Sequence, residues 1–463
     1  MARRTTKKKD LTPEEKLAQA LVPVEEQPYE VPGNWCWGYL SDLYQINPKN
    51  EAPDDAMAAF VPMDKISAGM DSSFEYLIQP WQKAKKGHTQ FADGDVAFAK
   101  ITPCFENRKS MVVNGLPNGI GGGTTELIIL RQAHMNQKYT FWLVTTEDFI
   151  RGGQQTYSGT VGQQRISMDY VRKYPVPVPP LPEQRRIVAR IESLFAKLDE
   201  AKEKAQAVVD GFEERKAAIL HKAFTGELTK KWREERGIGK DTWRSGTLEE
   251  FFFVTGGIQK KPSRAPDKNP IPYITVANVF RDRIDLTDLR YFEVFEGELE
   301  KLQLKYGDIL VVEGNGSGKE IGRCAIWRNE LPVCIHQNHI IRARKKDNNI
   351  IPEYVLYYLN SADGNHIMKE RAKTTAGLYN LSTGKIKTVP IPVAQLKEQQ
   401  EIVHILDSLL DKQQQAKSAA EQVLDQIDTM KKAILARAFR GELGTNDPQE
   451  ESAVELVRRA LDE

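Results

Sequence analysis

A chain of 463 residues is too long for one compact core and suggests three or four folding units. Its 40% hydrophobic and 28% charged residues are those of a globular protein, no apolar run approaches the roughly 18 residues that cross a bilayer, and the basic start Met1-Ala2-Arg3-Arg4 leads into no secretory stretch. The four cysteines contain no CxxC pair and exclude a disulfide framework, so the expected compartment is the cytoplasm, while a formal charge of +1 is low for a protein that binds nucleic acid unaided.

Residues 1–27 read as an N-terminal arm, basic at its start. Residues 28–174 read as a mixed domain of short strands such as Asp95-Val96-Ala97-Phe98-Ala99 and Glu126-Leu127-Ile128-Ile129-Leu130, separated by Gly, Pro and Asn turns, with one helix near 138–151. Residues 175–228 open with the Pro-rich Pro175-Val176-Pro177-Val178 and continue as a long helix. A basic, Gly-containing connector covers 229–242. A second mixed domain occupies 243–389, with the strand Ile309-Leu310-Val311-Val312 and one helix near 352–371. Residues 390–443 form a second long helix, and 444–463 a tail ending in a short amphipathic helix. Trp35, Trp37 and Trp243, at the entries to the two domains, read as core anchors.

The two helical regions are copies. Residues 175–228 align without a gap onto 390–443 at a constant offset of 215, and nearly half of the paired positions are identical. In the first copy Ile187, Ile191, Leu194, Leu198, Ala201, Ala205, Val208 and Phe212 alternate spacings of four and three. Ile402, Leu406, Leu409, Gln413, Ala416, Ala420, Val423 and Ile427 do so in the second. This is a heptad seam that commits an apolar stripe to a partner helix. The helix from Pro182 to Phe224 is expected to be about 65 Å long, with Gly226 and Gly441 as left-handed caps. Pairing of the two helices with each other is the simplest reading; two separate hairpins are the alternative.

The mixed domains differ in sequence but share landmarks in order: Gly94-Asp95-Val96 with Gly307-Asp308-Ile309, and Phe141-Trp142-Leu143 with Val355-Leu356-Tyr357. Three further motifs are read as decoys. Gly314-Asn315-Gly316-Ser317-Gly318-Lys319-Glu320 lacks the spacing and the Ser/Thr of a nucleotide-binding loop. Asn269-Pro270-Ile271-Pro272-Tyr273 carries an Ile that breaks the turn of an amino-methyltransferase motif, and no Gly-rich cofactor loop accompanies it. Cys324, Cys334, His336 and His339 fit no zinc-finger spacing, so no metal is expected, and His336 reads as polar lining near a turn.

Duplicated helices with Leu181-Pro182-Glu183-Gln184 and Leu396-Lys397-Glu398-Gln399 entries and Ala-Phe-x-Gly-Glu-Leu exits, alternating with divergent domains, resemble the specificity subunit of type I restriction-modification systems over nearly the whole chain. The run Gly94-Asp95-Val96-Ala97-Phe98-Ala99-Lys100-Ile101-Thr102-Pro103-Cys104 is also similar to a common form of that family's first target-recognition domain. The resemblance implies an α+β fold: two target-recognition domains rich in short strands, separated by two long helices that form an antiparallel coiled coil with pseudo-two-fold symmetry. It implies that each domain recognises half of a split double-stranded DNA target, and that the helices space the domains and dock two methyltransferase subunits, with restriction/translocase subunits in the full complex. The chain would then be non-catalytic and hold no cofactor, with S-adenosylmethionine, ATP and magnesium on its partners. A coiled-coil scaffold without DNA readout is the alternative; a self-contained methyltransferase or nuclease lacks its motifs.

Base readout needs polar and cationic side chains on turns that reach base edges. In the first domain these are Lys100, Thr102, Asn107, Arg108 and Lys109 after a strand, and Thr156, Tyr157, Thr160, Gln163, Gln164 and Arg165 on a Gly-punctuated loop. In the second they are Lys260, Lys261 and Arg264, the turn with Asn315, Ser317 and Lys319, and Lys373, Thr374, Tyr379 and Asn380.

Overall fold

The structure, a computed structural model, describes residues 12–132, 134–314, 320–372 and 380–462. It divides into two compact units: the chain up to Lys204 together with Val423 onward, and Ala205–Gln422.

In the first unit the helix Pro13–Ala20 begins with a Thr12/Glu15 capping box and packs against the C-terminal helix Val454–Asp462. The variable domain is closed at its base by an antiparallel ladder between Cys36–Tyr39 and Pro175–Val178. Its central antiparallel sheet runs Gln45–Ile46, Leu127–Arg131, Val96–Ala99, Ser110–Val112. Strand alternation sends Val96, Phe98, Ile128 and Leu130 to one face, against Tyr139 and Phe149. It sends Ala97, Met111, Leu127 and Ile129 to the other, against Ala59, Val61 and Phe91 of a second sheet. That sheet runs Leu77–Pro80, Met57–Val61, Ile120–Gly123, Thr89–Ala92, with Met57–Val61 parallel to Ile120–Gly123. Gly122 is required there, because a Cβ would lie 2.0 Å from the Ala84 carbonyl oxygen.

The second unit repeats the plan. Arg244–Thr247 pairs with Pro390–Val393, and the central sheet runs Phe252–Gly256, Ile340–Lys345, Ile309–Val312, Cys324–Ile326. A smaller sheet sets Pro270–Ile274 parallel to Ile335–His336 and antiparallel to Arg290–Glu293. The shared Gly-Asp landmark has a structural cause. Asp95 is buried and accepts two hydrogen bonds from the Arg131 guanidinium; Asp308, equally buried, accepts two from Arg344. Each ion pair fixes the turn before one sheet strand to the neighbouring strand.

Each expected domain helix is two. Helices Gln137–Val144 and Glu147–Gln154 are separated where Thr145 and Thr146 donate back to the Trp142 and Leu143 carbonyls, and Thr146 then caps the next helix. Helices Pro352–Asn360 and Ala362–Ala372 part at Ser361, whose hydroxyl donates to the Tyr358 carbonyl and accepts from Gly364 N–H.

The first duplicated region is helical over Leu181–Asp210 and Phe212–Phe224, interrupted at Gly211. The second is one helix, Leu396–Phe439, of 44 residues. Gly226 and Gly441 have φ of 81° and 73°, the left-handed caps the sequence suggested. The long helices pack together. In the first unit Ile187 and Ile191 share a core with Leu435 and Phe439, and Lys431 Nζ lies 2.6 Å from Asp199. In the second, Leu220 and Phe224 share a core with Ile402 and Leu406, and Arg215 Nε donates to Gln413 Oε1 at 2.9 Å. Within each unit the start of one helix thus meets the end of the other, an antiparallel pair, which removes the reading of two hairpins that never meet. The first seam lies inward as expected. In the second, Ala416 and Val423 are exposed, whereas Lys417 and Leu424 are half-buried. The spacing Leu409, Gln413, Lys417 places two fours in succession, a stutter after which Lys417 and Leu424 replace Ala416 and Val423 in the seam while Ala420 and Ile427 stay buried.

Both helices start on a buried Glu-Gln pair. Glu183 accepts from Trp35 Nε1 at 2.7 Å, from Asn446 Nδ2 at 2.8 Å and from the Thr445 hydroxyl at 3.3 Å. Glu398 accepts from Trp243 Nε1 at 2.8 Å, from the Thr229 hydroxyl at 2.7 Å and from Arg233 Nη1. Glu183 is thus balanced by neutral donors and Glu398 by a buried guanidinium. Glu398→Ala, which strands that charge, is expected to cost about 3–5 kcal/mol, and Glu183→Ala about 1–3 kcal/mol. Thermal unfolding of the two variants checks the order; an equal or reversed loss in melting temperature would contradict it.

Candidate nucleic-acid interface

The sequence placed two candidate clusters in the first domain 50 residues apart, and the fold makes them one surface. The strand Val96–Ala99 runs out into the turn that carries Lys100, Thr102, Asn107, Arg108 and Lys109. The loop ending at Arg165 folds onto it: Thr102 N–H donates to the Gln164 carbonyl at 2.9 Å, Ile166 N–H to the Lys100 carbonyl at 3.0 Å, and Ile101 bridges Arg165. Thr160 and Gln163 are exposed at the loop tip and Gln164 is half-buried beneath them. Arg165 grips Glu126 with Nε and Nη2, both at 2.8 Å. These hydrogen bonds hold the Glu126 carboxyl below the usual carboxylate range, with the charges of Arg165 and Lys100 acting in the same direction.

Other members of these clusters are engaged within the domain. Arg108 donates from Nε to the Thr145 carbonyl at 3.0 Å and pairs through Nη2 with Glu147. Lys109 Nζ donates to the Met63 carbonyl at 2.8 Å. Thr102 is buried. Thr156 donates to the Gly153 carbonyl and accepts from Ser167 N–H, and Tyr157 sets its ring edge against Phe105. Asn107 is exposed, and its carbonyl accepts from Gly69 N–H at 2.7 Å. That bond brings in the loop Ser67–Ser73, which the sequence reading missed; its Gly69 at φ 82° was the available signal.

The second domain builds the same corner with different chemistry. Leu381 N–H donates to the Glu313 carbonyl at 2.7 Å, and Gly314 bridges Asn380. Glu313 stands where the first domain has Lys100, and His339 where it has Glu126; His339 Nδ1 lies 3.2 Å from Glu313 Oε2. Asn380 is exposed, and its carbonyl accepts from Lys385. Asn315, Ser317, Lys319, Lys373, Thr374 and Tyr379 lie outside the described residues. Lys260 and Lys261 are exposed. Arg264 is not free: it forks onto Glu298 at 2.8 and 2.7 Å and covers the Phe295 ring.

One of the decoys has a structural role, while residues 315–319 of another lie outside the described residues. Tyr273 of the Asn-Pro-Ile-Pro-Tyr run is buried in a strand, stacked 3.8 Å from Phe292. Among the described residues no three His, Cys, Asp or Glu side chains are grouped to hold a metal ion, and no helix is long and apolar enough to cross a membrane. Trp35 and Trp37 are buried, as core anchors should be, and Trp243 is half-buried on Glu398.

His336 is buried, with Nδ1 2.9 Å from the Ile340 carbonyl oxygen. Burial pushes its imidazole down to about 4, so the folded unit holds it neutral. A lowered folded pKa means that its stability contribution is full above the unfolded value of about 6.5 and is lost as pH falls toward 4, on the order of 3 kcal/mol. His336→Gln, which takes up no proton, should flatten that part of the pH–melting profile; an unchanged slope between pH 6.5 and 4 would contradict the assignment.

Two related strand-rich domains, each closed onto an antiparallel pair of helical segments within its own unit, define a duplicated α+β architecture. Residues 124–209 and 240–424, more than half of the chain, match the family described as type I restriction modification DNA specificity domain, and the chain belongs to that family. It is 39% identical over 199 residues to the type I restriction enzyme EcoAI specificity subunit of Escherichia coli, a match covering 42% of this chain and 34% of that one. To the EcoKI specificity subunit of Escherichia coli strain K12 it is 29% identical over 273 residues, 58% of this chain and 57% of that one. The chain therefore spans about a third to a little over half of the length of these relatives. The fold is similar to the crystal structure of the HsdS subunit from Thermoanaerobacter tengcongensis, with a TM-score of 0.69 and 19% identity over 90% of this chain and all of that one. It is also similar to a chain from a structural study of type I R-M complex assembly and conformational transition, with a TM-score of 0.59 and 20% identity at the same coverage.

Proposed function

We propose that this chain is the DNA specificity subunit of a type I restriction-modification complex. Each variable domain reads one half of a bipartite double-stranded target. The helical pair spaces the two domains and docks two methyltransferase subunits, and restriction/translocase subunits join the larger complex. The chain performs no chemistry; S-adenosylmethionine, ATP and magnesium belong to the partners. One observation carries this reading. Two domains of divergent sequence keep the same central four-stranded sheet, the same Asp–Arg lock and the same joined turn and loop, but change the side chains at that corner from Lys100 and Glu126 to Glu313 and His339. A constant frame with interchangeable corner chemistry is what reading two different half-sites requires.

The test is to map methylated positions genome-wide in a host carrying the complete system, and to assay the purified chain with and without its methyltransferase. A split target methylated only by the complex supports the reading, whereas methyl transfer by the chain alone, or a complex without sequence preference, overturns it. Adding one heptad to both helices lengthens each by about 10.5 Å. This is expected to lengthen the spacer by about three base pairs with both half-sites unchanged; altered half-site bases at constant spacing would refute the spacer role. Lys260→Ala with Lys261→Ala should weaken binding to all sequences alike and flatten the salt dependence by about one unit per lysine lost, read from affinities at several salt concentrations.

A further inference from the structure

Arg165 differs from Arg108, the other paired arginine at this corner, and from Arg264 of the second domain in how it is presented. Its guanidinium meets Glu126 side-on, Nε and Nη2 each 2.8 Å from a carboxylate oxygen, and Nη1 also donates to the Gln163 carbonyl at 3.1 Å. Side-on pairing leaves the outer fork, the remaining hydrogens of Nη1 and Nη2, without a carboxylate partner. The side chain is 43% exposed, while Glu126 behind it is 22% exposed. By contrast Arg108 and Arg264 are each 14% exposed. Glu126 itself is held by the sheet: its carbonyl accepts from Lys100 N–H at 2.8 Å, and its N–H donates to the Thr124 hydroxyl at 3.2 Å. The fork therefore stands on the frame of the domain and not on a free loop.

An end-on guanidinium fork matches one base edge in the major groove, the O6 and N7 acceptors of guanine. Two physical effects favour a base over the phosphate backbone. The Glu126 carboxylate neutralises much of the charge that would draw Arg165 to phosphate, while its directional hydrogen bonds remain. The carboxylate also fixes the rotamer beforehand, so less side-chain entropy is lost on contact. We propose that Arg165 reads a guanine in the half-site of the first variable domain, and that Glu126 is the positioning residue that aims it. The inference rests on the DNA-specificity reading above and names one of its determinants. In the second domain Asn380 stands at the position of Arg165 and His339 at that of Glu126, so no guanidinium fork occupies that corner and the other half-site serves as an internal control.

The experiment uses the assembled methyltransferase complex, its wild-type target first established by methylation mapping. Binding is then measured to targets with each base pair of each half-site replaced in turn. Arg165→Ala is expected to lose about 10- to 100-fold discrimination at one guanine position of one half-site, the size of a bidentate contact, and to keep full discrimination in the other half-site. Arg165→Lys should lose nearly as much, because an ammonium cannot fork. Glu126→Gln should lower discrimination at the same position by a smaller factor. Retained guanine preference in Arg165→Ala, a first half-site without guanine, or restoration of wild-type behaviour by lysine would overturn the proposal; uniform loss over all sequences would assign Arg165 to phosphate. The specificity reading fails only if the wild-type map shows no split target, whereas each of these outcomes presupposes one, so the two readings stand or fall separately.

Discussion

The carboxylate in the first turn of each long helix is the constraint on which the architecture depends. Glu183 and Glu398 are fully buried, and a buried charge persists only where its acceptor sites are filled. Each is filled from two directions. The tryptophan at the entry of the adjacent domain supplies one donor, and the tail that follows the glycine cap of the other helix supplies the rest: Thr445 and Asn446 for Glu183, Thr229 and Arg233 for Glu398. A helix start, a domain entry and the opposite helix's exit are thus made mutually dependent. Parallel helices, or a shifted register, would leave a carboxylate without donors, so the pair is specified electrostatically as well as by its apolar seam.

The following glutamine extends the same logic to the heads. Gln184 accepts from Asn136 N–H and donates to the Pro179 carbonyl. Gln399 accepts from Ile351 N–H and donates to the Ala394 carbonyl. Both accepted bonds come from the N-terminal edge of a domain helix, so in each unit the start of the long helix grips its domain at an equivalent backbone position. Tyr139 and Tyr354 repeat the pattern, donating to the Pro177 and Pro392 carbonyls. Because these contacts use backbone groups and a few duplicated side chains, the rest of each domain is released to vary.

What could be read in the sequence follows from this. The duplication, the seam and the glycine caps are local or periodic signals, and they gave the helices, their pairing and the domain plan. The stutter at Gln413 escaped because polar residues occupy the seam there, and Ala416 and Val423 fitted the regular period better than Lys417 did. The helix breaks at Thr145–Thr146 and Ser361 turn on hydroxyls that compete for backbone carbonyls, a signal that hydrophobic periodicity hides. At the interface, composition selected the cations but not their partners. Glu147 lies 39 residues from Arg108, and Glu298 lies 34 residues from Arg264; such pairings exist only once the chain is folded. Glu126 was passed over for the opposite reason, since an acid is not sought on a surface meant for DNA.

That acid also bears on the net charge of +1. Arginines across the two variable domains are largely neutralised: Arg108 by Glu147, Arg131 by Asp95, Arg165 by Glu126, Arg264 by Glu298 and Arg344 by Asp308. A protein that gained its affinity from phosphate attraction would leave such groups unpaired, and it would then bind every sequence almost as well as its own. Pairing them removes most of the sequence-independent term while leaving hydrogen-bond geometry available to base edges. The specificity ratio, not the affinity, is what such a surface increases. On the proposed function the missing affinity is supplied by the subunits the helices dock, and a near-neutral reading head is the form that this division of labour requires.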